Sequence, residues 1–540
     1  MAMVYSLGRI HCSAPTQIAV DKFASRLQQI ASAVATRCSA SRPVGNQLRK
    51  PLIVRPHAIS DELFAFKHLL QHPQDVDGAV KTTNYAASSD SKLHLSLAFW
   101  VLVALRSKAT ERFDVGAIPD ALGWFYDSTH SNPGLWRIRD MATGSMDWAQ
   151  YCEGEMVPDD GIMSAMHAVL RSADVLCATP AMSSLDNITA WRKRSKGVAV
   201  DEAAGIEDMS TIWAKGLPCL LAGDEYQPST HFEDIPNILG NDTQRVGDQP
   251  LCPGPNGNVL PFMFFKATGW PIYRLRTQLR MAEGLFDLCH SEVYNEIPLV
   301  YGPKSDIGLP HHKIGRDLEA FLKGRFPDIS PAPDGSLQPC FVHCTGSFCN
   351  RQTYESLDQV KIALDLARDF VSCQAVDPRQ VIIMSPSMAN VELVSRRLAS
   401  PEYASLAGMP PASMFEPGRQ GDIVFLVMGT SKTSGPGFTT NQQRLNAMLS
   451  RHRCGLVVFG DISVAGPVDG TGTTRAKTLG KRAKKEDHHT FSVVGEDGKK
   501  HWMKAGMLHN VYKALYKAGR VVTVGVGRPQ PDGHSGLDIE

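Results

Sequence analysis

The chain reads as an α/β protein built on parallel sheets, and three observations predict it. Short apolar strands recur without polar alternation, as in 381–384 (VIIM), 423–428 (IVFLVM) and 456–459 (LVVF), the pattern of strands covered on both faces. Helical stretches separate them, one over 390–398 and one over 441–453, the latter carrying Arg444, Arg451 and Arg453. The length of 540 residues exceeds a single core, since a domain takes roughly 100–200 residues. A hydrophobic content of 43% with 21% charged residues excludes wholesale disorder. Lys and Arg total 56 against 55 Asp and Glu, a net charge of +1, which excludes attachment to nucleic acid by bulk charge but leaves room for a local basic groove.

Taken from the N-terminus, 10–14 reads as a strand and 18–35 as a helix. The pattern over 40–165 is irregular and reads as an insertion. Within it the apolar run 95–105 falls short of the about 20 residues a membrane span needs, so it reads as a buried helix. Three short strands follow, 175–178 (VLCA), 198–200 (VAV) and 218–222 (PCLLA). Each is followed by a small or polar residue, as strands are whose C-terminal ends carry a site. Residues 235–260 are rich in Pro, Gly, Asn and Asp and read as a loop between two α/β lobes.

The domains expected are 1–265, 266–465, and a basic linker with a small α+β tail over 466–540. In that tail 466–472 is turn-rich, 475–485 (RAKTLGKRAKK) is basic, 495–498 (GEDG) signals a hairpin, 507–517 a helix and 521–526 a strand. The basic run reads as a nuclear address, a phosphate contact or a solvated tail helix. The N-terminus has no signal-peptide pattern, and 12 scattered cysteines suit the reducing cytoplasm or nucleus. Cys340, Cys344 and Cys349 are spaced C-x3-C-x4-C on an apolar stretch and read as packed thiols rather than metal ligands.

Chemistry concentrates at strand ends. Val198-Ala-Val-Asp201-Glu202-Ala-Ala is a buried strand ending in two carboxylates, one suited to hold Mg²⁺ and the next to orient an attacking water. Asp224 follows 23 residues after Asp201, in Leu220-Leu-Ala-Gly223-Asp224-Glu-Tyr-Gln227, a second apolar strand ending in Gly-Asp-x-x-Gln. A Gln there can sense a γ-phosphate or its water. Two such motifs at this spacing point to a RecA-like nucleotide-hydrolysing core.

On these residues the sequence resembles superfamily 1 helicases, in the branch that includes nonsense-decay helicases and senataxin. The resemblance extends in order over most of the chain. The segment Cys12-Ser-Ala-Pro15-Thr16 through Asp21 is similar to motif Ia, and Ala173 to Thr179 to the strand before motif II. Gln278-Leu-Arg280-Met281 resembles the family's QYRM motif, with Leu279 in place of Tyr. Gly418-Arg419-Gln-Gly-Asp resembles motif V, and Gln443-Arg444-Leu-Asn-Ala-Met-Leu-Ser450-Arg451 resembles motif VI. The resemblance implies two RecA-like (P-loop NTPase) lobes, ATP and Mg²⁺ as cofactors, and single-stranded RNA or DNA as partner, with no membrane. It makes Asp201 the Mg²⁺ ligand, Glu202 the base, Gln227 the sensor, and Arg280 and Arg451 the transition-state cations. Asp224, Gly418 and Arg419 join the nucleotide contacts; Pro15, Thr16 and Thr179 touch nucleic acid.

One part of the pattern is missing. The phosphate-binding loop G-x4-G-K-[ST] precedes motif Ia in this family by roughly 25 residues, yet motif Ia begins here near residue 12. Gly429-Thr-Ser-Lys432-Thr433 lacks the required glycines, and Gly470-Thr-Gly472-Thr-Thr474 lacks the Lys. Pro417 and Gln420 replace the usual Gln and Glu of motif V, and Pro228-Ser-Thr follows motif III. The expectation is therefore an ATP-dependent helicase or translocase impaired as written. The alternatives are an inactive nucleic-acid-binding relative and a gene model truncated before residue 1.

Overall fold

The computed structural model describes residues 1–40, 50–75, 93–113, 122, 133–154, 156–214, 216–227, 245–246, 249–250, 260–350, 352–414, 419–432, 434–466, 468, 490–494 and 500–526. The basic run 475–485 and most of the loop expected over 235–260 lie outside them. The described residues form two units. The first runs from Met1 to Glu225 and resumes up to Pro271; the second holds Tyr226 and Gln227 and continues from Ile272. No helix among the described residues is long and apolar enough to cross a membrane.

The first unit is built on five parallel strands: β1 (Ile10–Ser13), β2 (Ile53–Val54), β3 (Val175–Ala178), β4 (Gly197–Val200) and β5 (Cys219–Leu221), in the order β2-β3-β1-β4-β5. The strands β1, β3 and β4 are buried along their whole length, which is why they read as continuous apolar runs. Edge strand β5 is less covered, and Leu220 is 57% exposed.

Segment 40–165, expected as an insertion, supplies the edge strand β2. Two residues between prolines carry too little pattern to be read as a strand. The buried helix expected over 95–105 is Leu97–Ala104, and all eight of its side chains are buried. It is tied to β2 by Trp100, whose Nε1 donates to the Ile53 carbonyl at 2.8 Å. Its N-terminus rests on the fully buried Glu62 carboxylate, which accepts from the Leu97 and Ala98 amides at 3.2 and 2.8 Å and from His57 N at 2.8 Å. Burial pushes the Glu62 carboxyl up while these amides pull it back.

The second unit repeats the parallel design with β6 (Cys340–Thr345), β7 (Val381–Met384), β8 (Gly421–Val427), β9 (His452–Gly460) and β10 (Val521–Gly525), in the order β7-β8-β9-β6-β10. The helix expected over 441–453 ends at Leu449, because the chain turns at Ser450 and enters β9, whose pairing with β8 begins at His452. Arg451 thus sits in the turn and Arg453 on the strand, and only Arg444 is helical. The C-terminal tail, expected as a separate unit, is partly built into this sheet: β10 pairs with β6 from Phe341↔Val521 to Thr345↔Gly525. Helix Gly506–Lys517 packs Met507, Leu508, Val511, Tyr512 and Leu515 into the same core as Phe341 and Val458. Buried Arg520 locks the junction, donating to Glu319 at 2.6 and 3.0 Å and to the Ser330, Gln338 and Pro339 carbonyls. The hairpin signal at 495–498 falls between strands Thr490–Val494 and Lys500–Lys504, which pair antiparallel.

Cys340 and Cys344 face the same side of β6 with Val342, while Phe341 faces the other. Burial pushes both thiols up to about 12, so they stay protonated and apolar in character.

His11 lies fully buried on β1 between the Ile212 carbonyl (3.2 Å) and the Ser183 hydroxyl (3.1 Å). Burial drives its pKa from 6.5 down to about 4. A base depressed in the folded state binds its proton more readily unfolded. Its contribution is whole above about pH 6.5 and is lost as pH falls toward 4, a swing of about 3 kcal/mol. Urea unfolding at pH 7.5 and pH 4.5 should show this loss, and His11→Gln should flatten the dependence over that interval.

Candidate functional site

Parallel pairing decides where the motif residues go. Ser13 is in register with Ala178 on one side and Val200 on the other, and Val200 with Leu221. The residues that follow these strands therefore share one edge of the sheet. In spatial order it carries Thr179 after β3, Pro15 and Thr16 after β1, Asp201 and Glu202 after β4, and Asp224 after β5. In open α/β sheets the carboxyl edge is where ligands bind.

Local bonds hold this edge. The Asp201 amide donates to the Ser13 carbonyl at 2.9 Å, and the Ser13 hydroxyl to the Ala178 carbonyl at 2.7 Å. Asp201 Oδ1 accepts from the Glu202 amide at 3.1 Å. Glu202 itself adopts a left-handed backbone, φ 52° and ψ 38°, an arrangement costing a non-glycine residue about 1 kcal/mol or more. A 3-10 turn at Ala203–Gly205 then carries the chain back under β5, where the Ala203 amide donates to the Ala222 carbonyl at 2.8 Å.

Thr16 and Thr179 both cap helices. Thr16 Oγ1 accepts from the Ala19 amide at 3.2 Å at the head of helix Gln17–Ala40, and Thr179 Oγ1 from Met182 at 3.3 Å. Thr179 is buried, whereas Pro15 and Thr16 are half-buried. Behind Thr16, buried Arg55 next to β2 donates to Asp21 Oδ1 at 2.6 Å and to Gln17 Oε1, pinning the first turns of that helix. Nothing in the motif pattern pointed to Arg55, because its partners lie 34 and 38 residues away in sequence.

In the second unit the predicted residues gather at the opposite, N-terminal ends of strands. The Gly421 amide at the start of β8 donates to the Arg451 carbonyl at 3.1 Å, just ahead of β9. Arg451 is buried; its Nε donates to the Ala447 carbonyl and its Nη2 to Gln227 Oε1, both at 3.2 Å. Arg280 donates from Nη1 to the Ser450 carbonyl at 3.1 Å, and its own amide donates to Gln278 Oε1 at 2.8 Å. Gln227, Arg280 and Arg451 are thus brought together around the Ser450–Arg451 turn. Arg419 is buried nearby in sequence to β8, with Nη2 at 3.4 Å from the Pro411 carbonyl; Gly418 lies outside the described residues.

Two further residues belong to this cluster. Asn446 Nδ2 donates to the Tyr226 carbonyl at 3.0 Å and to Tyr294 Oη at 2.7 Å, and the Tyr226 and Tyr294 rings meet edge-on at 5.4 Å. Asn446 stands inside the motif at 443–451, so its position was legible but its partners were not. His452 is fully buried, and burial followed by the nearby Arg280 charge lowers it to about 3, so the ring stays neutral beside the arginines.

A family model described as an AAA domain matches residues 262–463. No curated protein matches the chain. The match covers well under half of the sequence; it supports a helicase-like family of P-loop proteins and a nucleotide-dependent function in general.

Gly223 sets the spacing between the segments that follow β4 and β5. A Cβ at this position would stand 2.9 Å from the Ala204 amide nitrogen and 3.0 Å from that of Ala203. Gly223→Ala should push the two carboxylate-bearing segments apart and destabilise the unit by about 2 kcal/mol in urea unfolding. Gly525→Ala, whose Cβ would meet no atom within 4 Å, is the neutral control.

Proposed function

We propose that this chain is a superfamily 1 helicase-like protein that holds single-stranded RNA or DNA on two RecA-like lobes, about 1–265 and 266–465. The observation that carries the reading is the shared carboxyl edge of the first sheet. Thr179, Thr16, Asp201, Glu202 and Asp224 stand there in a row, in the order that parallel pairing imposes. The family match over 262–463 supports it independently.

The residues present fit part of the expected cofactor. Asp201 and Glu202 offer hard oxygen ligands of the kind Mg²⁺ takes. Arg280 and Arg451 are permanent cations suited to phosphate oxygens, and Gln227 is a polar sensor bonded to one of them. A triphosphate also needs an amide cradle and its lysine, and G-x4-G-K-[ST] occurs nowhere in the 540 residues. Among the described residues no cluster of three or more His, Cys, Asp or Glu could hold a metal by itself, and the triphosphate cradle does not occur in the sequence, so no hydrolytic step is assigned to these residues. What they support is binding: backbone recognition by the motif Ia edge of the first sheet.

Two outcomes follow for the 540-residue chain. ATP hydrolysis should stay at background with and without single strands, and Glu202→Gln should leave it there; stimulated turnover abolished by that substitution would overturn this. Binding to single-stranded oligonucleotides without ATP should be measurable at low salt and weaken steeply as salt rises. A filter-binding titration that detects none at low salt would end the reading.

A further inference from the structure

The first sheet has a second edge, its amino end, with no role in the account above. There the segments leading into β3, β1 and β4 lie side by side. Arg9 donates from Nη2 to the Arg171 carbonyl at 2.8 Å, the Lys196 amide donates to the Arg9 carbonyl at 2.7 Å, and Trp191 Nε1 donates to the Ala173 carbonyl at 3.3 Å. These bonds bring Arg171 to the segment 191–196, which runs Trp-Arg-Lys-Arg-Ser-Lys, and no acidic residue occurs between Asp186 and Asp201. Arg171, Lys193, Arg194 and Lys196 are all exposed. Among the described residues none of these four side chains takes part in an ion pair. Asp174 also stands at this edge, half-buried, where it accepts from the Leu52 amide at 2.8 Å. The carboxyl edge is the reverse, with Asp201, Glu202 and Asp224 following β4 and β5. The net charge of +1 thus conceals a first unit that is acidic at one edge and basic at the other.

We infer that the amino edge of the first sheet is a phosphate-backbone contact for nucleic acid, with Arg171, Lys193, Arg194 and Lys196 as its cations. The choice of nucleic acid among polyanions rests on the reading proposed above. Like charges gathered on one small surface repel one another, and a polyanion relieves that repulsion while releasing its own counterions. A helix C-terminus attracts a cation, which accounts for Arg171 in the last turn of helix Asp159–Ser172 and for Lys193 just past helix Asp186–Arg192. Arg194 and Lys196 stand beyond the helix end and have no such role. Trp191 is 3% exposed, so this segment offers phosphates a charge but offers bases no ring. The contact is therefore indifferent to sequence. An anionic membrane would also meet these charges, but peripheral attachment needs apolar side chains that insert beside them. Residues 192–196 (RKRSK) include none.

The test is fluorescence anisotropy of a labelled single-stranded oligonucleotide titrated with the full chain over a series of salt concentrations. Lys193→Gln with Arg194→Gln should lower the slope of log K against log salt by about 1.4, and adding Arg171→Gln and Lys196→Gln should bring the total to about 2.8. Oligo(dT) and oligo(dA) should show the same losses, since phosphates carry no sequence information. Lys513→Gln with Lys517→Gln removes as much charge as the first pair from exposed positions on helix Gly506–Lys517, and it should leave the slope unchanged. All the substituted side chains are exposed, and urea unfolding of each variant checks that the fold is unchanged. If the parent chain binds and the fourfold variant keeps the parent slope, or the control pair lowers it as much as the first pair, the amino edge is not the contact and the broader reading stands. If the parent chain does not bind, both fall. If the fourfold variant loses cosedimentation with phosphatidylserine vesicles while its oligonucleotide binding is unchanged, the edge is a membrane contact and the inference is overturned.

Discussion

Parallel strand pairing is the constraint on which the rest of this structure depends. A parallel ladder places every C-terminal strand end on one edge of the sheet. It thereby turns motifs separated by up to 200 residues of sequence into neighbours. The bond from the Asp201 amide to the Ser13 carbonyl is the clearest instance, joining the acidic pair to the segment beginning Pro15-Thr16. A slip of one residue in β4 would turn Val198 and Val200 from their own apolar cluster toward the opposite face, so burial enforces the register that the site requires.

Buried polar residues fasten the irregular parts of the chain to these sheets. Arg55, Glu62 and Arg520 are nearly or wholly inaccessible, and each is matched by several partners. An unmatched charge in such a place would be costly to keep. The matched ones give the loops and edge strands a single position rather than simply added stability. This is how β2 joins the first sheet and β10 the second; 521–526 reads as a strand from its own residues, whereas β2 does not, and neither one's sheet partner is predictable locally.

The second unit shows how competing local preferences are settled. Residues 441–453 have a helical pattern throughout, and Asn441 caps the helix by accepting from the Arg444 amide at 2.9 Å. The nine-residue strand β9 then claims His452 onward, because its central position between β8 and β6 buries both faces. Ending the helix early places Arg451 in a turn where Gln227 and the Ala447 carbonyl can hold its guanidinium. A helical Arg451 would have had its position set by the 3.6-residue period alone.

By itself the sequence determined the class of fold, the identity of the chemically capable residues and their order along the chain. These follow from local properties: continuous apolar runs for covered strands, carboxylates at their ends, and arginines in a recognisable motif. The tertiary structure alone decided which of those residues meet. It grouped Thr179, Thr16, Asp201 and Asp224 by strand order, gathered Gln227, Arg280 and Arg451 around one turn, and supplied Arg55, Asn446 and His452 as their supports. Strand order and buried partners come from pairings between residues tens to hundreds of positions apart, and no local pattern in the chain encodes that separation.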